Sequence, residues 1–217
     1  NVPRLDYSDG GCPSLLLEGT ATNLVTYSED FSNASWTKSG SNVTSGFTSP
    51  KGDLSAFKLV EDTSTGTHRL LQSTAMPGGG TFSYSIYVKA SDRTYIALGD
   101  ASVSQFAYFN LITQTLVSTH ANITPNIEVL SGGWAKYTVT STVGGVRTLS
   151  ARISTDGSTT SYTGDGTSGV YIYGAQLEEN SYPTSYIPTL TGTAQSRSAD
   201  TANGAGNAST FNDSEGV

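Results

Sequence analysis

Between Thr81 and Lys89 the chain alternates. Phe82, Tyr84, Ile86 and Val88 are apolar, whereas Ser83, Ser85, Tyr87 and Lys89 between them carry polar groups. A period of two sends successive side chains to opposite faces, so this segment predicts a strand with one apolar face. Gly78-Gly79-Gly80 ahead of it supplies a turn. Thr148 to Ile153 alternates in the same way. Other strand-length segments, bounded by Gly, Ser, Asn or Asp, fall at 56–60, 67–73, 94–99, 105–111, 115–118, 126–130, 134–142, 146–154 and 169–178. None shows the apolar spacing of an amphipathic helix. The pattern predicts an all-β fold, a two-sheet antiparallel β-sandwich with jelly-roll topology.

The ends differ from this body. Residues 1–22 hold Pro3-Arg4-Leu5-Asp6-Tyr7, a Gly10-Gly11 turn and Ser14-Leu15-Leu16-Leu17-Glu18, and read as an extended N-terminal arm. The sandwich is expected over 23–189. From 190 to 217 the only large apolar residues are Leu190, Phe211 and Val217, too few to offset the entropy of ordering the segment. It reads as a linker toward a following domain. Opening on Asn1 without a Met, the chain reads as a piece of a longer protein.

Composition narrows the function. Charged residues make up 13% of the 217, and 12 of the aromatics are Tyr, which suits broad, neutral, hydrogen-bonding sheet surfaces. The net charge of −7 comes without any basic run, so a phosphate backbone is repelled and nucleic acid is excluded as the expected partner. No run of about 18 apolar residues exists to insert into a membrane. Cys12 is the only cysteine and lies in a turn-like Asp9-Gly10-Gly11-Cys12-Pro13, so neither an intrachain disulfide nor a thiolate metal cluster is expected.

Several motifs occur together in order. They are Asn23-Leu24 with Ser28-Glu29-Asp30-Phe31 and Trp36, then Phe82 to Ala90, Gly133-Trp134, and Val170 to Glu178. This set resembles carbohydrate-binding modules of the galactose-binding-like jelly-roll type. With Pro3 to Tyr7, Ser14 to Glu18 and Ser185-Tyr186-Ile187-Pro188 added, it resembles the versions found in phage tail-fibre and related virion proteins. Phe211 to Val217 is similar to the start of a following lectin-like domain. The resemblance implies glycan binding and an extracellular or virion-associated location. It also raises a structural calcium, which such modules hold with acidic residues of the last strand, where this chain has Gly174-Ala175-Gln176.

Candidate chemistry is sparse. A glycosidase needs two facing carboxylates, but Glu29-Asp30, Glu61-Asp62 and Glu178-Glu179 are adjacent pairs that a strand would send to opposite faces. A lyase needs a base beside Arg and Asn or Gln, and His68-Arg69-Leu70-Leu71-Gln72 is a single segment rather than a constellation. Calcium, with its preference for oxygen ligands, would suit Glu29 or Asp30 with backbone carbonyls; the same residues also read as a solvated turn. Trp36 and Trp134 are assigned to packing against the core. Sugars are held by aromatic faces and directional hydrogen bonds. The residues expected to bind glycan are therefore those on strand faces away from the core, namely Arg69, Tyr87, Lys89, Tyr95, Gln105, Tyr108, Asn110 and Arg152. Tyr162 in the 156–166 loop is expected to close over the ligand. The expectation is a polysaccharide- or cell-surface-glycan-binding module without enzymatic activity, joined to neighbouring domains. The alternatives are a spacer or oligomerisation module of a fibre, and a jelly-roll polysaccharide lyase or glycosidase.

Overall fold

The computed structural model describes residues 5–6, 14–15, 17–76, 80–142 and 145–200. Cys12, Gly78-Gly79, most of the expected arm and residues 201–217 of the expected linker lie outside the described residues. In chain order the strands are β1 (Leu5–Asp6), β2 (Ser14–Leu15), β3 (Ala21–Asn23), β4 (Thr37–Ser39), β5 (Ser41–Phe47), β6 (Ala56–Glu61), β7 (Thr65–Thr67), β8 (Arg69–Met76) and β9 (Thr81–Ala90). They continue with β10 (Tyr95–Asp100), β11 (Gln105–Asn110), β12 (Thr115–Thr119), β13 (Ile123–Val129), β14 (Trp134–Thr142), β15 (Gly145–Ser154), β16 (Ser161–Thr163), β17 (Gly169–Glu178) and β18 (Gln195–Arg197). Among the described residues there is no α-helix, and hence no helix long and apolar enough to cross a membrane.

Two six-stranded antiparallel sheets form the body. The first runs β13-β14-β9-β17-β6-β5 and the second β12-β11-β10-β15-β8-β4. Their inner faces share one apolar core. Phe82, Tyr84, Ile86, Val88, Tyr137 and Ile172 come from the first sheet, and Leu70, Ile96, Leu98, Phe109, Leu149 and Ile153 from the second. The β-sandwich predicted by the alternation is therefore the fold observed. By its contacts the chain separates into two compact units, Thr22–Gln195 and a smaller one of 1–21 with 196–217. In the smaller unit β1 pairs with β2, and Arg197 Nη1 donates to Glu18 Oε2 at 2.8 Å.

Two features go beyond the alternation. Ser83 and Ser85, on the polar side of β9, are each only 1% exposed. The chain around 182–189 crosses this outer face, tied by Glu178 and Gln176 of β17. Thr184 N–H donates to Glu178 Oε2 at 2.8 Å, and Ile187 N–H donates to Gln176 Oε1 at 2.7 Å. The second feature is how the turns are closed. Asp30, Asp62, Asp100, Asp156 and Asp165 each accept the backbone N–H two residues on, from Ser32, Ser64, Ser102, Ser158 and Thr167. Such Asx turns offer the backbone a local partner where the ladder ends. Much of the acidic charge is thus spent on turn closure.

Candidate functional site

The outer face of the second sheet gathers five of the nine residues expected to bind glycan. Register sets the arrangement. Tyr108 on β11 faces Ala97 on β10, Ala97 faces Arg152 on β15, and Arg152 faces Arg69 on β8. Paired residues share a face, so Tyr108, Arg152 and Arg69 form one row across the strands. The next row on this face is Phe106, Gly99, Ser150 and Leu71. The middle strand contributes only Ala97 and Gly99 to the two rows, and this low floor lets Arg152 reach across it. The guanidinium carbon of Arg152 lies 3.7 Å from the Phe106 ring centroid, a stacked cation–π contact. Its Nε donates to Ser150 Oγ at 3.3 Å. Tyr95 and Asn110 occupy a third row and frame the site. Asn110 Oδ1 caps the β11–β12 turn by accepting the N–H groups of Ile112 and Thr113. Gly157 sits so close to the Tyr95 ring that an added Cβ would come within 3.0 Å of it.

The electrostatics of the row are unbalanced. Arg69 and Arg152 are like charges placed directly opposite each other, an arrangement that costs stability. Among the described residues no carboxylate pairs with either one, and Arg69 Nε is buried without a hydrogen-bond partner. Burial and then the neighbouring charge of Arg69 push the pKa of Arg152 below its ordinary value. The nearby Tyr108 hydroxyl acts in the opposite direction.

The remaining candidates lie elsewhere. Gln105 corrects the expectation that it points away from the core. It is paired with Asp100 and Leu149 lies beyond, in the row that faces inward at one end of the sandwich. Tyr87 and Lys89 are on the outer face of the first sheet. The Tyr87 ring meets Tyr173 at 5.8 Å and Tyr186 at 5.9 Å, and burial pushes its phenol up to about 12. Tyr173 and Tyr186 are raised as well, burial again being the main cause. Tyr186 Oη and Ser28 Oγ share a hydrogen bond of 2.7 Å. Lys89 separates two open hollows. One, of about 180 Å³, is lined by Phe47, Thr48 and Tyr171; the other, of about 290 Å³, by Leu111, Ile112, Gln114 and Leu130. Tyr162 does not lie free over a ligand. It donates to Glu61 Oε2 at 2.7 Å, and its ring is packed between His68 and Arg93. Glu29 accepts from Tyr173 Oη at 2.5 Å and pairs with Lys51, while Asp30 closes its own turn. Among the described residues no three His, Cys, Asp or Glu side chains gather as metal ligands. Trp36 and Trp134 are buried, at 1% and 3% exposure.

Phe106, Ser150 and Leu71 were not anticipated as site residues. Phe106 was legible in principle, being two residues before Tyr108 and therefore on the same face of the strand.

No family model matches the chain, and no curated protein matches it. Among solved structures it is similar to the enzymatically active domain of tailspike protein 4 of bacteriophage CBA120, at 15% identity and a TM-score of 0.43. The match covers 71% of this chain and 21% of that one, so the chain spans about a fifth of the neighbour's length. The expectation of a chain without enzymatic activity is corrected by this neighbour, an enzymatically active domain, and is withdrawn.

Proposed function

We propose that the body of this chain binds a glycan on the outer face of its second sheet, as part of a larger extracellular or phage-particle protein. One observation carries the reading, the register that aligns Tyr108, Arg152 and Arg69 in a row beside the Arg152-stacked Phe106. The half-buried phenol of Tyr108 offers a sugar a stacking surface, and guanidinium N–H groups offer directed donors to hydroxyls and acidic substituents. The sequence resemblance to virion carbohydrate-binding modules agrees with this chemistry.

Affinity electrophoresis through gels containing different polysaccharides tests it. Tyr108→Ala is expected to weaken retention by about 1–3 kcal/mol, by analogy with other aromatic stacking platforms, at nearly unchanged melting temperature. Tyr87→Ala, on the other sheet, is expected to leave retention as it is. Retention that survives Tyr108→Ala and falls with Tyr87→Ala moves the site to the first sheet and ends this assignment. The same incubations, assayed for new reducing ends and unsaturated uronates, register any cleavage.

A further inference from the structure

Resting on that reading, we propose that the glycan is an acidic one, and that Arg69 and Arg152 together hold a single oxyanion substituent on it, a carboxylate or a sulfate.

Several cations elsewhere in this protein are paired with carboxylates. Arg93 is bonded to Glu61, Lys58 to Asp92, Arg197 to Glu18 and Lys51 to Glu29. Asp and Glu outnumber Lys and Arg by 18 to 11, so carboxylates are in surplus. Arg69 and Arg152 nonetheless face each other with no carboxylate of the described residues on either. Two like charges on directly opposed residues repel, and an anion between them turns that repulsion into two attractive contacts.

The geometry favours one oxyanion. Neighbouring strands lie ~4.8 Å apart, so side chains from directly paired residues can converge on a single group. Arg152 is held in place by the Phe106 ring beneath it and by its Nε bond to Ser150. This leaves the terminal nitrogens without a protein acceptor among the described residues. A guanidinium fixed in this way is prepared for charge-assisted, bidentate bonding to carboxylate or sulfate. Arg69 adds a buried Nε–H that lacks an acceptor, and such a donor costs stability until something accepts from it. Tyr108 at the other end of the row supplies the stacking surface for the sugar that bears the anion.

The net charge of −7 sets a limit on the ligand. At physiological salt, charges more than about 8 Å away are largely screened, so an isolated acidic group senses the two arginines more than the acidic turns. A polymer with closely packed charges meets the whole surface and is disfavoured. The chemistry therefore points to a glycan with separated acidic substituents.

The test uses the whole chain and two matched polymer pairs, partly methyl-esterified polygalacturonate against its fully esterified form, and sparsely sulfated dextran against dextran. The proteins are the parent chain, Arg69→Gln, Arg152→Gln and Tyr108→Ala. At least one acidic polymer is expected to be retained about tenfold more tightly than its neutral partner. Raising NaCl from about 50 to about 500 mM should remove most of that difference. Either arginine variant should bring the acidic polymer down to the level of the neutral one, at a melting temperature that is not lowered. Which acidic polymer is retained tells carboxylate from sulfate. Equal retention of acidic and neutral polymers, insensitive to both arginine variants but weakened by Tyr108→Ala, overturns the anion inference and leaves the glycan reading standing. Arginine-dependent retention untouched by Tyr108→Ala and reproduced by free sulfate keeps the anion site and removes the glycan. Failure of every acidic polymer to be retained at low salt overturns the inference.

Discussion

The Tyr162 hydroxyl donates to Glu61 Oε2, so a residue of the short strand β16 closes the shell around a carboxylate that is itself fully buried. Arg93 donates to the same carboxylate through Nε and Nη2, and Asp165 through its N–H. One acid therefore fastens β16, the strand paired with β7, to the end of β6.

This shell predicts an acid response. Burial would raise the pKa of Glu61, but the bonds from Arg93, Tyr162 and Asp165 together outweigh it and hold the group below its ordinary 4.5. A depressed carboxyl contributes stability that is complete above the unfolded value and is lost as pH falls through the folded one. Thermal melts should thus be flat in this respect from pH 7 to about 5 and decline below about 4.5. Glu61→Gln should lower stability at pH 7 by on the order of 2–3 kcal/mol. That is at or below the lower end for breaking buried pairs, because Arg93 is 25% exposed. It should also flatten the acid limb. An acid limb as steep as the parent's would show that Glu61 is not its source.

Removing one arginine of the outer row should not weaken the unliganded fold. Arg69→Met keeps an apolar stem but deletes the like charge opposite Arg152 and the unpartnered Nε. We expect a gain of about 0.2–1 kcal/mol in urea unfolding without glycan. A clear loss would mean that Arg69 supports the sheet rather than a ligand.

Gly99 offers a separate test of the site floor. A Cβ there would fall 1.9 Å from the Gln105 carbonyl oxygen, a backbone atom that cannot swing aside. Gly99→Ala should push β11 away from β10 and cost about 1–3 kcal/mol. Because Phe106 moves with β11, glycan retention should fall together with the melting temperature, unlike in Tyr108→Ala.

Trp36 belongs to the core. Its Nε1 donates to Tyr27 O at 3.0 Å, and its ring meets Phe31 edge-on with centroids 5.1 Å apart. Trp36→Ala should cost about 3–5 kcal/mol. Whatever fraction stays folded should still bind glycan with parental affinity in a titration at low temperature.

The sheets were legible because period-two alternation is a local property. The strand expected at 169–178 is β17 residue for residue, and Phe82, Tyr84, Ile86 and Val88 of β9 face the core as the pattern required. The site was legible only in part. Arg152 and Tyr108 could be placed off the core, but the meeting of Arg152 with Arg69 depends on register between strands far apart in sequence. Gln105 was misplaced because it was grouped with Tyr108, although an odd separation of three puts the two on opposite faces. Tyr87 looked open because alternation does not reveal that Tyr186, from the chain after β17, would come to rest against it. Tyr162 looked free because its acceptor, Glu61, lies on a strand remote in sequence.

The segment that crosses the first sheet also meets the start of the body. Ser28 N–H donates to Thr189 O at 2.9 Å, Thr189 N–H to Ser28 Oγ at 2.8 Å, and Tyr27 N–H to Thr191 O at 3.2 Å. Asn23 Nδ2 bonds Ile187 O at 2.8 Å, and Leu24 N–H bonds Leu177 O at 2.8 Å. The two ends of the Thr22–Gln195 unit are therefore clasped to each other, outside the sandwich core. A pull applied through those ends, as when a tethered protein is held against a surface by its ligand, acts first on this clasp. That clasp is also tied to the second sheet, since Thr26 N–H donates to Gln72 Oε1 at 2.9 Å and Gln72 Nε2 to Thr26 O at 3.0 Å, so a load on it reaches β8, the strand that carries Arg69.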